Sequence, residues 1–174
     1  MSAKDKQTRV SGAKRHAEVE YLSIAGLTTR MGPIGLHTYA SAFLDAARTL
    51  PPATVPFDPV RLFLVCRSIE LALKAFLSLQ GLAMLELAGG AYGHNLEAIL
   101  GEADRRELAR LVSLTEPQRI VIQHASGYYE GKVFEYPAVG EAVSAYPKLP
   151  AFDALREIAA ILVTSLHQPC LEAT

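Results

Sequence analysis

Apolar residues recur at helical spacing along most of the chain, and no strand-like alternation persists for more than a few residues. The first clear helix is predicted from Ile34 to Leu50. Tyr39, Ala40, Phe43, Leu44 and Ala47 share one face, Asp45 and Arg48 lie off it, and Pro51-Pro52 stops it. The second helix carries the best start and stop signals. Asp58 is an N-cap residue, Pro59 suits the first helical position, and Gly81 suits a left-handed C-terminal stop. After Arg61, its polar residues are chiefly Arg67, Glu70, Lys74 and Ser78, one narrow stripe on a helix otherwise made of Leu, Phe, Val, Ile, Ala and Cys. A helix apolar around most of its circumference is surrounded by other elements. This is therefore the central helix of a bundle. The stripe reads as the helix's one wet edge, with the wall of a cleft as the alternative, and Glu70 and Lys74 stand at a favourable i, i+4 spacing.

The remaining elements follow from caps and breakers. A helical turn is expected near Met84 to Leu87. Asn95 caps a short helix through Ile99 and Leu100 that Gly101 interrupts, and a further helix covers Ala103 to Ser113, with Leu108, Leu111 and Val112 inward. Thr115 and Gln118 form a capping-box pair around Pro117, opening a helix to Glu130 that Gly127 weakens. Gly131 to Pro137 reads as an extended exit, followed by a loop to Pro150. The last helix spans Pro150 to His167, buries Leu155, Ile158, Ala159, Leu162 and Leu166, and ends before Pro169. Residues 1–20 are polar and aperiodic, and 21–33 are ambiguous. The expected organisation is a partly disordered tail over 1–33 and one helical domain over 34–174. The fold class is all-α, an up-and-down bundle of five to six helices.

Composition narrows the function classes. The chain has 174 residues, 50% hydrophobic and 20% charged, which excludes a disordered chain and suits one well-buried domain. With 17 basic against 18 acidic residues there is no basic surplus of the kind duplex-DNA binders show, although a local basic groove is compatible with that balance. Lys4, Lys6, Arg9, Lys14 and Arg15 read as part of a solvated tail. Two cysteines make no disulfide framework, and Cys66, in an apolar run, reads as a small buried hydrophobe. No Cys/His cluster has zinc-ligand spacing, so neither metal nor other cofactor is expected. The absence of an apolar h-region and of a long apolar stretch points to no secretory signal, no membrane partner and a cytoplasmic location.

Three segments carry a resemblance. Arg67-Ser-Ile-Glu70-Leu-Ala-Leu-Lys74-Ala-Phe-Leu77 with Gly81, then Tyr92-Gly-His94-Asn-Leu96, then Tyr128-Tyr129-Glu-Gly-Lys132 with Phe134-Glu-Tyr-Pro137, together resemble the HEPN superfamily of small helical bundles over residues 35–167. The resemblance implies a homodimer in a toxin–antitoxin or defence context. Its non-catalytic members partner nucleotidyltransferases or antitoxins. Its catalytic members are metal-independent ribonucleases with an Arg-x(4 to 6)-His motif, in which the RNA 2′-hydroxyl attacks the neighbouring phosphate while His moves protons and Arg stabilises charge.

Arg119-Ile-Val-Ile-Gln-His124 fits that spacing and supplies the candidate catalytic pair, Arg119 and His124. Arg9 to His16 and Arg30 to His37 fit it too. The residue after Arg119 is Ile120, where active members often carry a polar side chain, and a five-residue step places the two side chains about 140° apart around a helix. The plain alternative is a surface Arg and a partly buried His. Arg67, Glu70, Lys74, His94, Tyr128 and Tyr129 are the candidate residues for binding nucleic acid or a partner. The competing reading gives His94 a loop-holding role and the tyrosines a packing role. Three functions follow. The first is a non-catalytic module binding nucleic acid, nucleotide or a partner; the second a metal-independent endoribonuclease; the third a helical dimerisation or regulatory module. Gly-rich phosphate loops, Gly-x-Ser-x-Gly elbows and HExxH motifs are absent.

Overall fold

The computed structural model describes residues 21–24, 27–30, 32–52, 57–136, 140 and 146–173, with the first two segments given as backbone only. The expected tail over residues 1–20 lies outside the described residues, as do 53–56 of the proline-rich loop and most of the loop after Tyr136. Six α-helices are described: α1 (Pro33–Thr49), α2 (Pro59–Leu79), α3 (Met84–Ala88), α4 (Leu96–Arg105), α5 (Glu116–Glu130) and α6 (Phe152–Glu172). Two 3-10 turns, Gly90–Tyr92 and Leu108–Arg110, join them. The fold is an all-α helical bundle. Ahead of it, in the segment that gave no clear sequence signal, β1 (Tyr21–Ile24) and β2 (Leu27–Arg30) form an antiparallel hairpin with Tyr21 opposite Arg30.

The bundle is organised around α2. It packs against α1 most extensively, then against α6, α4, α3 and α5. Leu62, Val65, Cys66, Ile69, Leu71 to Leu73 and Ala75 to Leu77 are all buried, so nearly its whole circumference is covered. The local signals explain its limits. The Asp58 carboxylate accepts from the Arg61 backbone N–H, and Gly81 closes the other end with φ +87°. There the Gly81 N–H donates to Ser78 O and the Leu82 N–H to Leu77 O, so the last carbonyls of the helix are satisfied by a Schellman turn. The small residues Ala40 and Ala47 let α1 approach closely, and the buried Ser68 hydroxyl donates to Ala40 O at 2.7 Å across that contact.

Four local expectations are corrected, each because tertiary packing outweighs a local preference. Gly101 does not interrupt α4. Leu96, Ile99, Leu100 and Ala103 form one buried stripe through it, and that burial exceeds the roughly 1 kcal/mol a helical glycine costs. The helix expected over Ala103 to Ser113 is instead the end of α4 and a separate 3-10 turn. The break is Glu107 at φ 64°; it turns Leu108 and Val112 inward and leaves Leu111 exposed. The exit after α5 is not extended. Lys132 takes a left-handed conformation, the Lys132 and Val133 N–H groups donate to Tyr129 O and Tyr128 O, and Phe134 folds back into the core. Finally, α6 runs through Pro169 to Glu172, because Leu166 and Cys170 on either side of it are both fully buried. The buried face predicted for this helix is the one that packs.

Candidate functional site

The polar stripe on α2 is not a wet edge. Glu70 is only 1% exposed and Lys74 only 5%, so the alternative, a cleft wall, is the arrangement found. Glu70 sits one turn from both Arg67 and Lys74, which the helical repeat brings to its side. The Arg67 Nη1 donates to both Glu70 oxygens at 2.9 Å, and the Lys74 Nζ donates to Oε1 at 2.7 Å. Two further groups arrive from elsewhere. The Tyr129 hydroxyl, from α5, donates to Oε2 at 2.7 Å, and His94 Nδ1, from the turn before α4, lies 3.0 Å from the same oxygen. The Lys74 Nζ also donates to Gly93 O at 2.7 Å, fixing the turn that presents His94. Asn95 then caps α4 by accepting from the Ala98 N–H at 2.8 Å.

The electrostatics set the protonation of this cluster. Burial alone would raise the Glu70 pKa. The hydrogen bond and charge of Lys74, the Tyr129 hydroxyl and the charge of Arg67 outweigh it and hold the carboxyl below its ordinary value. Burial lowers the tendency of Arg67 to stay protonated, but Glu70 and then Tyr129 more than compensate. Burial and the adjacent carboxylate push the Tyr129 hydroxyl well up, so it remains a donor. The buried Cys66 thiol is pushed up by burial and then by Glu70. An ionised carboxylate only accepts hydrogen bonds, so His94 Nδ1 carries the proton and donates to it. That tautomer leaves Nε2 as the ring's remaining functional atom.

Glu70 therefore anchors the site and is saturated by its neighbours. It has no spare lone pair for a substrate proton. Arg67 is further engaged by a side-chain hydrogen bond with Tyr129, and Lys74 keeps one N–H beyond the two it spends on Glu70 and Gly93. These groups and His94 border a cleft of about 540 Å³. Its other walls are apolar: Leu36, Tyr39 and Phe43 of α1, Leu71 of α2, and Met84, Leu87 and Ala88 of α3. Tyr39, expected on the inward face of its helix, is instead 59% exposed at the rim.

The other candidate residues lie elsewhere. Arg119 is held in an ion pair with Asp104, and His124 is exposed on α5 with no described hydrogen bond between them. Tyr128 is buried and packs on Phe134, its hydroxyl accepting from the Lys148 N–H at 3.2 Å. It supports the loop after α5, while its neighbour Tyr129 turns to Glu70 and meets the His94 ring edge-on at 5.4 Å. The cleft walls from α1 and α3 and the Gly93 carbonyl were not legible as site residues. The Tyr39 to Phe43 step was the available signal, and it reads equally as core. Among the described residues, no group of three or more His, Cys, Asp or Glu side chains could hold a metal, and no helix is long and apolar enough to cross a membrane.

The depressed Glu70 carboxyl makes the fold acid-sensitive. Its stabilising contribution is full above the unfolded-state carboxylate value, about 4.3, and is lost as pH falls through the lower folded value. The urea midpoint of the wild type is expected to drop between pH 5 and 3 more steeply than that of Glu70→Gln, which starts lower. Parallel pH profiles for the two proteins would show that Glu70 is not the linked group.

Comparison with models of protein families, with curated proteins and with solved structures gives no match for this chain.

Proposed function

We propose that the protein is a binding module for nucleotide or nucleic-acid phosphate, a HEPN-like bundle acting without catalysis. One observation carries the reading: Arg67 and Lys74 are fixed on a buried carboxylate beside His94, at the wall of an apolar cleft that Tyr39 and Phe43 also line. Preordered cations recognise phosphate with little further loss of side-chain entropy. A cleft with an aromatic rim and one charged wall suits a ligand with a planar body and an anionic group. Arg119, committed to Asp104, supports the ribonuclease reading less well. By the resemblance, the module works as a homodimer in a toxin–antitoxin or defence setting, beside an antitoxin or nucleotidyltransferase.

The test is fluorescence anisotropy with labelled mixed-sequence RNA and with a labelled mononucleotide, in EDTA. Binding is expected to weaken as salt rises. Arg67→Gln is expected to weaken it about tenfold or more, the scale of one charged hydrogen bond, while Arg119→Ala and His124→Ala leave it unchanged. EDTA-resistant RNA cleavage lost in His124→Ala would establish the ribonuclease instead. Absence of any salt-dependent binding would leave a dimerisation or regulatory module.

A further inference from the structure

Two hydrogen bonds set the rotation of α1. The Ser68 hydroxyl of α2 donates to Ala40 O at 2.7 Å, and His37 Nε2 donates to Val163 O of α6 at 2.7 Å. Leu36, Tyr39 and Phe43, at helical spacings of three and four, share a further face, and that face borders the cleft. Its exposure is graded. Leu36 is buried, Phe43 is half-buried, and Tyr39 is 59% exposed at the rim. Rings elsewhere are covered by other rings: Phe57 packs on Tyr146, Tyr128 on Phe134, and Phe63 on Tyr129. Among the described residues, Tyr39 has neither a ring partner nor a side-chain hydrogen bond. An aromatic ring left in water, on a helix already fastened to two others, is a preformed stacking surface.

Resting on the phosphate-binding reading above, we infer that Tyr39 holds the base of the ligand by stacking, and that the cleft therefore accepts all four bases alike. The division of the walls carries this. Arg67, Lys74 and His94 stand together on the charged wall, where Arg67 Nη1 and His94 Nδ1 meet the same Glu70 oxygen at 2.9 and 3.0 Å. A phosphate seated on these cations leaves its base to the walls from α1 and α3. Beside Tyr39, those walls are Leu36, Phe43, Met84, Leu87 and Ala88, whose side chains carry no hydrogen-bonding N–H or O–H group. One base is told from another by donors and acceptors set against its edge, each well-placed pair giving about fivefold to a hundredfold discrimination. Apolar side chains give none of it. Every base has a π-face, so stacking selects a flat aromatic body without reading which base it is. The ring of Tyr39 makes this contact, and its hydroxyl takes no part.

Isothermal titration of the full chain with AMP, GMP, CMP, UMP and ribose 5-phosphate tests this, beside mixed-sequence RNA. The nucleotides are expected to bind within about tenfold of one another, the larger purines somewhat tighter. Ribose 5-phosphate keeps the phosphate and lacks the base, and it is expected to bind about fivefold to a hundredfold weaker, the scale of one base–aromatic stack. Tyr39→Leu is expected to weaken every nucleotide by about the same factor. It should leave ribose 5-phosphate binding and the melting temperature unchanged, and Tyr39→Phe should retain the wild-type affinity. The fluorescence of 2-aminopurine riboside 5′-monophosphate reports the stack directly. It should be quenched on binding to the wild type and to Tyr39→Phe, and not on binding to Tyr39→Leu. A preference above about tenfold for one base exceeds what stacking alone supplies and would overturn this inference. So would ribose 5-phosphate binding as tightly as the nucleotides, wild-type affinity or quenching in Tyr39→Leu, or RNA binding with no mononucleotide binding. Each of these leaves the phosphate-binding function standing. Failure of the mononucleotides and of RNA alike to bind to the folded protein would overturn both.

Discussion

Glu70→Ala is expected to destabilise the protein by about 3–5 kcal/mol and to abolish ligand binding in the cleft. Removing the carboxylate strands two cations. Lys74, whose side chain is only 7% exposed, would keep only the Gly93 carbonyl, and Arg67 would lose the bonds to both oxygens. The Tyr129 hydroxyl and His94 Nδ1 would lose their acceptor as well. A charge left buried without a partner costs far more than a broken surface pair, for which about 0–1 kcal/mol is typical. For a domain with a total stability of about 5–15 kcal/mol this is a large fraction, and the melting temperature is expected to fall by about 10 °C. Chemical denaturation at pH 7 measures it. The double variant Glu70→Met with Lys74→Met, which removes the buried charges as a pair, is expected to recover much of the loss, since a buried ion pair exchanged for packed apolar side chains is often neutral or stabilising. Its ligand binding should stay absent. A loss under 1 kcal/mol in Glu70→Ala would mean that water reaches the cluster freely and that Glu70 is no anchor.

Phe76→Ala is expected to cost a further class of energy, about 3–5 kcal/mol, without the electrostatic signature. Phe76 lies on the enclosed central helix and is 1% exposed. Deleting its ring removes apolar contacts and leaves a cavity that surrounding helices, already packed on all sides of α2, close only in part. Its destabilisation should be independent of pH between 3 and 7, unlike that of Glu70→Ala, which should shrink as the wild-type carboxyl protonates. Leu85→Ala provides the contrast, because Leu85 is 89% exposed on α3 and its loss is expected to change stability by no more than about 0.5 kcal/mol. Unfolding in urea distinguishes the three. A cost for Phe76→Ala below about 1.5 kcal/mol would mean that α2 is not enclosed at that turn.

The caps and the central helix were the most legible features. Asp58, Gly81, Asn95 and the Thr115–Gln118 box act locally, within a few residues, and each forms the cap its residue types encode. The near-continuous apolar surface of α2 likewise required enclosure whatever the partners were. The misread boundaries have a common cause. Gly101 and Pro169 each weaken a helix by a local cost of about 1 to 3 kcal/mol, and the buried residues on either side exceed it. Those residues touch partners far away in sequence, so no local pattern reports their contribution. Glu107 and Lys132 are the converse, breaks made by non-glycine residues in left-handed conformations that carry no strong sequence mark.

The candidate site divides along the same line. From the sequence came the row Arg67, Glu70 and Lys74 on one helix face and a His94 turn ahead of a capped helix. Helical spacing and capping chemistry are local, and they placed these residues correctly within their own elements. A polar stripe on an apolar helix looks the same from sequence whether water or protein covers it. Only the packing of α5 and the Gly93-His94 turn over α2 decided that Glu70 is buried, that Tyr129 rather than Tyr128 completes its shell, and that Tyr39 stands at the rim of a cleft. The physical reason is the range of the interactions. The sequence by itself determined what 3.6-residue periodicity and end-capping fix, an all-α chain around one buried helix. The tertiary structure decided which charges left water, because desolvation depends on every element that arrives from a distance.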